Sequence, residues 1–275
     1  MKKVVFTNEQ IKDIINEYVN NHISMQNISI KYNVSREVIS RVLKENNIGT
    51  DTNNHHKYYA DYRKFQFIDS PEKAYWLGFI AADGCVYVRD KNASVIISIH
   101  QKDSEHLEKF KQFMNSNVKI LYYIQNCGFS NNTPMCKITF NSKEMAQDFI
   151  DKGVPPRKSL ILKPPIIDKQ YYLPYILGYF DGDGSIFKAN NEFGINFVGT
   201  KEMLNWINQT LGMEAKLEQK KGTPKDKNNY SIRCGGTNKP YIILKQLYDN
   251  CNTHLDRKYE LFKTLETVVL NRNIK

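Results

Sequence analysis

The chain has 275 residues, enough for about two domains at roughly 150 residues each. Its 39 Lys and Arg against 29 Asp and Glu leave a formal charge of +10, which points to a polyanionic partner. Hydrophobic content of 41% with 12% aromatics argues against a disordered chain. No run of about 18 apolar residues offers a membrane span. MKKVVFTNEQ at the N-terminus lacks a signal-peptide core, so the expected setting is cytoplasmic, or the interior of an organelle or phage-infected cell, and not secreted. Cys85, Cys127, Cys136, Cys234 and Cys251 are spaced too irregularly for a disulfide framework. Cys251 and His254 form one CxxH pair with no second pair to complete a zinc site.

Residues 1–48 read as a small all-α domain of three short helices. Thr7 and Gln10 make a capping box, and Ile11, Ile14, Ile15, Tyr18 and Val19 follow at helical spacing. A second helix is predicted over 25–32. Asn33, Val34 and Ser35 break it, with Ser35 as N-cap of a third helix over 36–46. Val38, Ile39, Val42 and Leu43 of that helix point inward; Arg36, Glu37, Ser40, Arg41 and Lys44 point outward. This is the layout of a helix-turn-helix, resembling the resolvase and transposase type, with Arg36, Ser40, Arg41 and Lys44 as candidate DNA contacts. A three-helix packing module with a solvated third helix would look the same. Residues 49–69 are expected to be a linker. Lys57, Arg63 and Lys64 with Tyr58, Tyr59 and Tyr62 could follow a phosphate backbone, while His55 and His56 read as solvated.

The remainder is duplicated. AYWLGFIAADG (74–84) and PYILGYFDGDG (174–184) match at an offset of one hundred residues, and Arg157-Lys158 and Arg257-Lys258 repeat it. Each copy carries the same pattern order: a helix; strands over 85–89 and 94–101, or 185–190 and 193–198; a helix over 103–114 or 201–211; strands over 118–125 and 135–141, or 215–221 and 230–234; a helix over 142–152 or 238–250. A further helix spans about 257–271. The predicted fold is therefore α+β, with two pseudo-symmetric αββαββα halves at 70–164 and 165–275.

Ser70, Pro71 and Glu72 start the first motif helix, and Pro174 serves the first turn of the second. Small residues fall four apart, Gly78 with Ala82 and Gly178 with Gly182, clearing one face of each helix for close approach. Gly84 and Gly184 suit C-terminal turns. Asp83 and Asp183 stand just before them, against the negative helix end, an unfavourable placement by roughly 0.3–1 kcal/mol each. Two such acids where two helices converge suggest a divalent cation with hard oxygen ligands, of the Mg2+ type; the alternative is an Asp-Gly hairpin turn in each copy.

The segments WLGFIAADG (76–84) and ILGYFDGDG (176–184) resemble the double motif of the LAGLIDADG homing endonucleases, over about residues 70–273. The helical head resembles accessory modules of some free-standing members. The resemblance implies that the motif helices join the halves, that each half offers a saddle-shaped antiparallel sheet to the major groove, and that Asp83 and Asp183 bind the catalytic metals. It makes the carbonyls of Ala82 and Gly182 further ligand candidates. Lys158 and Lys258 match the family's basic residues, with phosphate anchoring or a solvated helix start as alternatives. Gln101 resembles a water-positioning residue, with Gly199 or Thr200 as its counterpart. Ala81, opposite Asp181, departs from the motif at a position the family does not need for chemistry.

Strand alternation assigns Val86, Val88, Val95, Ile97 and Ile99 to the core. It leaves Tyr87, Arg89, Ser94, Ser98 and His100 facing DNA in the first copy, and Phe187, Asn196, Lys216, Lys220, Ser231 and Arg233 in the second. A register shift of one would reverse these sets. The expected function is a monomeric, site-specific double-strand DNA endonuclease using Mg2+ on a long pseudosymmetric or asymmetric site. The alternatives are an RNA maturase acting on intron RNA and a DNA-binding regulator without chemistry. An intein is not expected, since the splicing nucleophile and the His-Asn pair are missing.

Overall fold

The computed structural model describes residues 4–21, 23–49, 58–90, 92–127, 130–189, 192–220 and 227–273. The expectations placed on His55, His56 and Lys57, and on the predicted strand ends at Asn190 and Lys221, fall outside them. The chain divides into two compact units, Met1–Ala60 with Asn115–Lys119, and Asp61–Met114 with Ile120–Lys275. Among the described residues no helix is long and apolar enough to cross a membrane.

In the first unit, α1 (Asn8–Val19), α2 (Met25–Lys31) and α3 (Arg36–Glu45) enclose Ile14, Tyr18, Met25, Ile28, Ile39, Val42 and Leu43. The capping box is formed in both directions: Thr7 Oγ1 accepts from Gln10 N–H at 3.2 Å and Gln10 Oε1 accepts from Thr7 N–H at 3.0 Å. Asn33 takes a left-handed φ of 52° in the turn before α3. Ser35 occupies the N-cap position of α3 without a side-chain cap bond. Val19, the last residue of α1, departs from expectation at 43% exposure.

The second unit carries the repeat. Its first copy runs α4 (Pro71–Asp83), β1 (Gly84–Arg89), β2 (Asn92–His100), α5 (Ser104–Phe113), β3 (Leu121–Cys127), β4 (Ser130–Phe140) and α6 (Lys143–Asp151). The second runs α7 (Tyr172–Asp183), β5 (Gly184–Ala189), β6 (Glu192–Gly199), α8 (Lys201–Thr210), β7 (Leu217–Gln219), β8 (Tyr230–Gly235) and α9 (Asn238–Tyr248), and α10 (Asp256–Asn273) closes the chain. Both αββαββα halves are present. Their sheets are antiparallel and four-stranded, in the orders β1-β2-β4-β3 and β5-β6-β8-β7.

The motif helices are apolar nearly all round, as befits central elements: every residue from Ala74 to Ala82 and from Pro174 to Asp181 is buried. Ser70 Oγ accepts from Lys73 N–H to start α4, whereas α7 has no side-chain cap and grows out of a 3-10 turn at Lys169–Tyr171. The helices meet backbone to backbone. A Cβ on Gly78 would lie 2.0 Å from the Tyr175 carbonyl oxygen, and one on Gly178 1.9 Å from that of Tyr75. One turn further on, a Cβ on Gly182 would strike Ala82 Cβ at 2.3 Å.

Gly84 and Gly184 do not make left-handed caps. Their φ values are −81° and −97° with extended ψ, and each passes straight from helix into strand. Glycine is needed there for room, since a Cβ would lie 2.5 Å from Ile80 Cγ2 in one copy and 2.2 Å from Phe180 Cδ2 in the other. The Asp-Gly pairs are therefore helix-to-strand junctions and not hairpin turns. Behind the first sheet, Trp76 packs on Phe110 at 4.9 Å between ring centroids, and Phe65 on Phe149 at 4.5 Å. Phe65 is fully buried, although its surroundings in the sequence are polar.

Gly78→Ala or Gly178→Ala drives a methyl into a backbone carbonyl that has no rotamer to yield, so a loss of at least about 3 kcal/mol is expected in urea melts. Gly235→Ala, which has open space around it and no positive φ, should change stability by less than about 0.5 kcal/mol.

Candidate active site

Asp83 and Asp183 are the last residues of α4 and α7, delivered together by the glycine contact. A Cβ on Gly182 would stand 3.4 Å from the Asp83 carboxyl carbon. Asp83 is open to solvent on one side and walled by protein on the others. Loss of hydration, then the neighbouring Asp183 charge, push its carboxyl up to about 6, against the opposing pull of Lys258 and Lys158. Asp183 is half-buried and also raised, chiefly by desolvation. Two carboxylates that resist ionisation side by side are what a cation would relieve.

Neither lysine is a solvated helix start. Lys158 is 9% exposed and Lys258 2%, and each seals the C-terminal end of its own motif helix. Lys158 Nζ donates to the Ala82 carbonyl at 2.6 Å. Lys258 Nζ donates to the carbonyls of Phe180 at 2.6 Å, Asp181 at 2.8 Å and Gly184 at 2.6 Å. An ammonium on free helix carbonyls offsets the negative end of the dipole. Burial lowers both, Lys258 to about 8. Lys158 follows Arg157, a non-glycine residue at φ 55° that turns the chain inward.

The donor set fits a hard divalent cation. Among the described residues no group of three or more His, Cys, Asp and Glu is placed for a metal, so a cation here would rest on the two carboxylates, helix-end carbonyls and water, as Mg2+ accepts. The Ala82 oxygen already receives the Lys158 ammonium, so that ligand candidate is shared and not free.

The position set aside in the sequence holds a buried network. Asp181 is 1% exposed, and its Oδ2 accepts from the Tyr75 hydroxyl and from Leu255 N–H, both at 2.7 Å. Tyr75 Oη also lies 3.0 Å from His106 Nε2. The phenol has one proton and gives it to Asp181, so His106 must donate through Nε2–H as a neutral imidazole. Burial holds His106 down to about 3 and lifts Asp181 to about 6. The sequence signal was a matched pair of mismatches at the repeat offset: Ala81 against Asp181, and Pro155 against Leu255.

Gln101 lies exposed on a 3-10 turn, Gln101–Asp103, after the end of β2. The hairpins align at an offset of one hundred, Gly84 facing Ile97 and Gly184 facing Phe197, so His100 corresponds to Thr200 and Gln101 to Lys201. Gly199 therefore matches Ile99 instead. Both aligned residues cap the turn that comes next: His100 Nδ1 accepts from Lys102 N–H and Thr200 Oγ1 from Met203 N–H. The extra turn also supplies Asp103, whose carboxylate binds Arg257 Nε at 2.9 and 3.0 Å.

Exposure on the sheet faces follows the alternation with three exceptions. Tyr87, Arg89, Phe187, Lys216, Lys220 and Arg233 are exposed, and Ser98, His100 and Asn196 half-buried. Ser94 (7% exposed) and Ser231 (5%) share that face but are buried, since each is a short side chain on an inner strand, overtopped by larger neighbours. Val88, expected in the core, is 48% exposed; it pairs with Ala93, one step from the end of the β1–β2 hairpin. Register adds residues not anticipated: Lys137 pairs with both Ser98 and Leu121, and Met135 with His100 and Tyr123. Tyr123 Oη and Ser98 Oγ are 2.6 Å apart, and the Lys137 ammonium sits 5.4 Å over the Tyr123 ring. Alternation along 133–139 could have found Lys137. In the first unit, Arg36, Ser40, Arg41 and Lys44 line one shallow depression with Glu37 and Glu45, and Arg41 donates to the Val4 carbonyl at 3.2 Å.

Below about pH 6.5 the unfolded chain protonates His106, which the folded chain refuses down to about 3. This group therefore removes about 1.4 kcal/mol of stability per pH unit as pH falls through that window. Asp83 and Asp181, raised in the folded state, act in the opposite direction. Urea melts from pH 7 to 4 should accordingly show His106→Gln gaining stability relative to the parent as pH drops; parallel curves would refute a buried neutral histidine.

A family model described as a LAGLIDADG-like domain matches residues 70–152. No curated protein matches the chain. Among solved structures, the meganuclease I-SmaMI bound to uncleaveable DNA aligns with a TM-score of 0.50 at 13% identity, covering 73% of this chain and 90% of its own. I-LtrWI bound to target DNA gives 0.47 at 12% identity, covering 76% and 91%. I-CpaMI bound to uncleaved DNA gives 0.47 at 11%, covering 74% and 93%. Residues 70–152 thus match the LAGLIDADG-like domain model, and the duplicated body that contains them shares its fold with the meganuclease I-SmaMI.

Proposed function

We propose that this protein is a site-specific double-strand DNA endonuclease that acts as a monomer and uses Mg2+. The observation that carries the reading is the convergence of Asp83 and Asp183 on two helix ends of one chain, each beside a buried lysine and each leading straight into a sheet. Both acids come from one chain, so a single copy holds the whole centre, and its two unlike sheets suit a long pseudosymmetric or asymmetric site. The same fold is seen holding DNA in I-SmaMI.

Asp83 and Asp183 would hold the cation, with the Gly182 carbonyl and a shared Ala82 carbonyl in reach. Bound there, a divalent cation supplies charge to polarise a phosphodiester and to stabilise the leaving oxygen. The residues of the chain do the rest. Protein packed around Asp83 and Asp183 lowers the local polarity although Asp83 keeps an exposed face, so their charges act on a cation at short range. Lys158, at the edge of a cleft of about 390 Å3 shared with Asp183 and Tyr179, is placed to counter phosphate charge. Gln101 stands in this reading as a water-positioning residue of the first half only. Tyr87, Arg89, Ser98 and His100 on the first sheet, and Phe187, Asn196, Lys216, Lys220 and Arg233 on the second, would follow the major groove, with Ser94 and Ser231 below them. Arginine with guanine and Asn196 with adenine are the natural pairings. Asn196 is half-buried on that face and its Oδ1 is covered and without a partner among the described residues, so its side chain must turn outward to pair with a base. The helical unit would add contacts through Arg36, Ser40, Arg41 and Lys44.

The test incubates the protein with DNA formed by joining the sequences that flank its gene's element, in Mg2+ and in EDTA. A Mg2+-dependent double-strand cut is expected, lost by at least a hundredfold in Asp183→Asn while binding persists. Binding that neither Mg2+ nor the mutation affects, with no cut, would replace this reading by a regulator, and rescue of intron splicing without cutting would replace it by a maturase. Affinity should fall at least tenfold between 50 and 200 mM salt, because phosphate neutralisation releases counterions; a flat response would count against nucleic acid as the partner.

A further inference from the structure

The two halves finish their motif helices differently. In the second, Asp181 Oδ2 accepts Leu255 N–H at 2.7 Å, and Lys258, three residues further on, places its ammonium on three carbonyls. An ammonium has three hydrogens, so this lysine is fully used. One hundred residues earlier the same positions hold Ala81, Pro155 and Lys158. Alanine offers no acceptor and proline no N–H, so donor and acceptor are exchanged together. Lys158 has the Ala82 carbonyl as its one hydrogen-bond partner among the described residues, and it lines the cleft beside Asp183. Two of its N–H groups remain to be aimed at an anion.

Asp181 is retained against physical opposition. Its carboxylate is buried at a helix C-terminal end, and Oδ1 has no hydrogen-bond partner among the described residues. Ala81 occupies the matching place, so closing the helix pair does not itself require an acid. What the acid adds is a fixed Leu255, and through it a fixed start of α10, the helix that carries Lys258.

Resting on the endonuclease reading, we propose that Asp181 is a positioning residue that makes the two half-sites unequal. By pinning Leu255 it seats Lys258 wholly on the end of α7 and leaves Lys158 as the lysine available to a scissile phosphate, so the two DNA strands are cut in sequence. The pin acts through the backbone and touches no substrate atom.

The experiment uses the full-length protein on supercoiled plasmid carrying a site that the parent protein cuts in Mg2+, selected from randomised DNA, with each strand followed by its own end label. One strand should be cut at least fivefold faster, with nicked circle accumulating before linear product. Asp181→Ala should move the ratio of strand rates toward one and speed amide hydrogen exchange at Leu255 at least tenfold. Asp181→Asn, which keeps an acceptor, should preserve the ratio. Lys158→Met, which gives up one carbonyl contact, should slow one strand preferentially, and Lys258→Met, which gives up three, should lower the melting temperature by the larger amount. Equal strand rates in the parent protein, or a ratio unmoved in Asp181→Ala while Leu255 exchange quickens, would overturn the proposal and leave the endonuclease reading standing. If Asp181→Ala does not fold, the lysine pair decides, and equal effects of the two substitutions on both strands and on melting would overturn it. Failure of the parent protein to cut any selected site would remove the endonuclease reading and this proposal with it.

Discussion

The body of this protein depends on two peptide units touching where side chains would normally stand between them. Helix axes usually pass 8–10 Å apart, kept there by the side chains they present. Here Gly78 and Gly178 remove those side chains at reciprocal points, so each helix rests on a carbonyl of the other at the level of Tyr75 and Tyr175. The acidic pair of the candidate site is placed by that contact. Bringing two helices so close leaves their C-terminal ends adjacent, and the residues just before the strands, Asp83 and Asp183, are forced into one small volume. The sheets then depart from the same point because Gly84 and Gly184 carry no turn between helix and strand.

Electrostatics at that point would be untenable without compensation. Two negative helix ends and three acids, Asp83, Asp181 and Asp183, lie within a few residues of each other. The compensation is unequal in kind. Lys258 is spent on backbone carbonyls, Lys158 only in part, and Asp181 is stabilised first by the Lys258 charge and then by hydrogen bonds from the Tyr75 phenol and the Leu255 amide. Among the described residues the Asp83 and Asp183 carboxylates draw on the charges of Lys158 and Lys258 without hydrogen bonds of their own, and that is where an external cation has something to gain.

Periodicity and repetition made most of this architecture legible. The duplicated motif, the order of elements and the small residues four apart depend on local sequence, and the helix pair and both sheets formed as those patterns direct. The corrections arise where a residue's environment comes from elsewhere in the chain. Phe65 looked like part of a polar connection because its partners, Phe110 and Phe149, lie far along the sequence. A solvated helix start stayed open as an alternative for Lys158 and Lys258 because the carbonyls that bury them belong to other helices. Ser94 and Ser231 obeyed the alternation and were still buried, since alternation gives a side chain's face and not the height of its neighbours. Asp181 was readable in principle. Its signal lay in two mismatches that mean little apart and become informative only when read as a donor and an acceptor.

The ion pair between Asp103 and Arg257 carries an implication for how this duplication has aged. Asp103 exists only because the first copy has a 3-10 turn after its second strand, and the second copy passes directly into α8 without one. Arg257 therefore has its carboxylate in the other half and no equivalent in its own. A chain assembled from two second halves would keep the glycine contact and both terminal acids, yet each of its Arg257 side chains would face a surface with no acid. Two first halves would leave Asp103 beside Arg157, a residue committed to a left-handed turn. The halves are complementary and no longer interchangeable, so separately expressed halves should reassemble as first with second in preference to either half with itself.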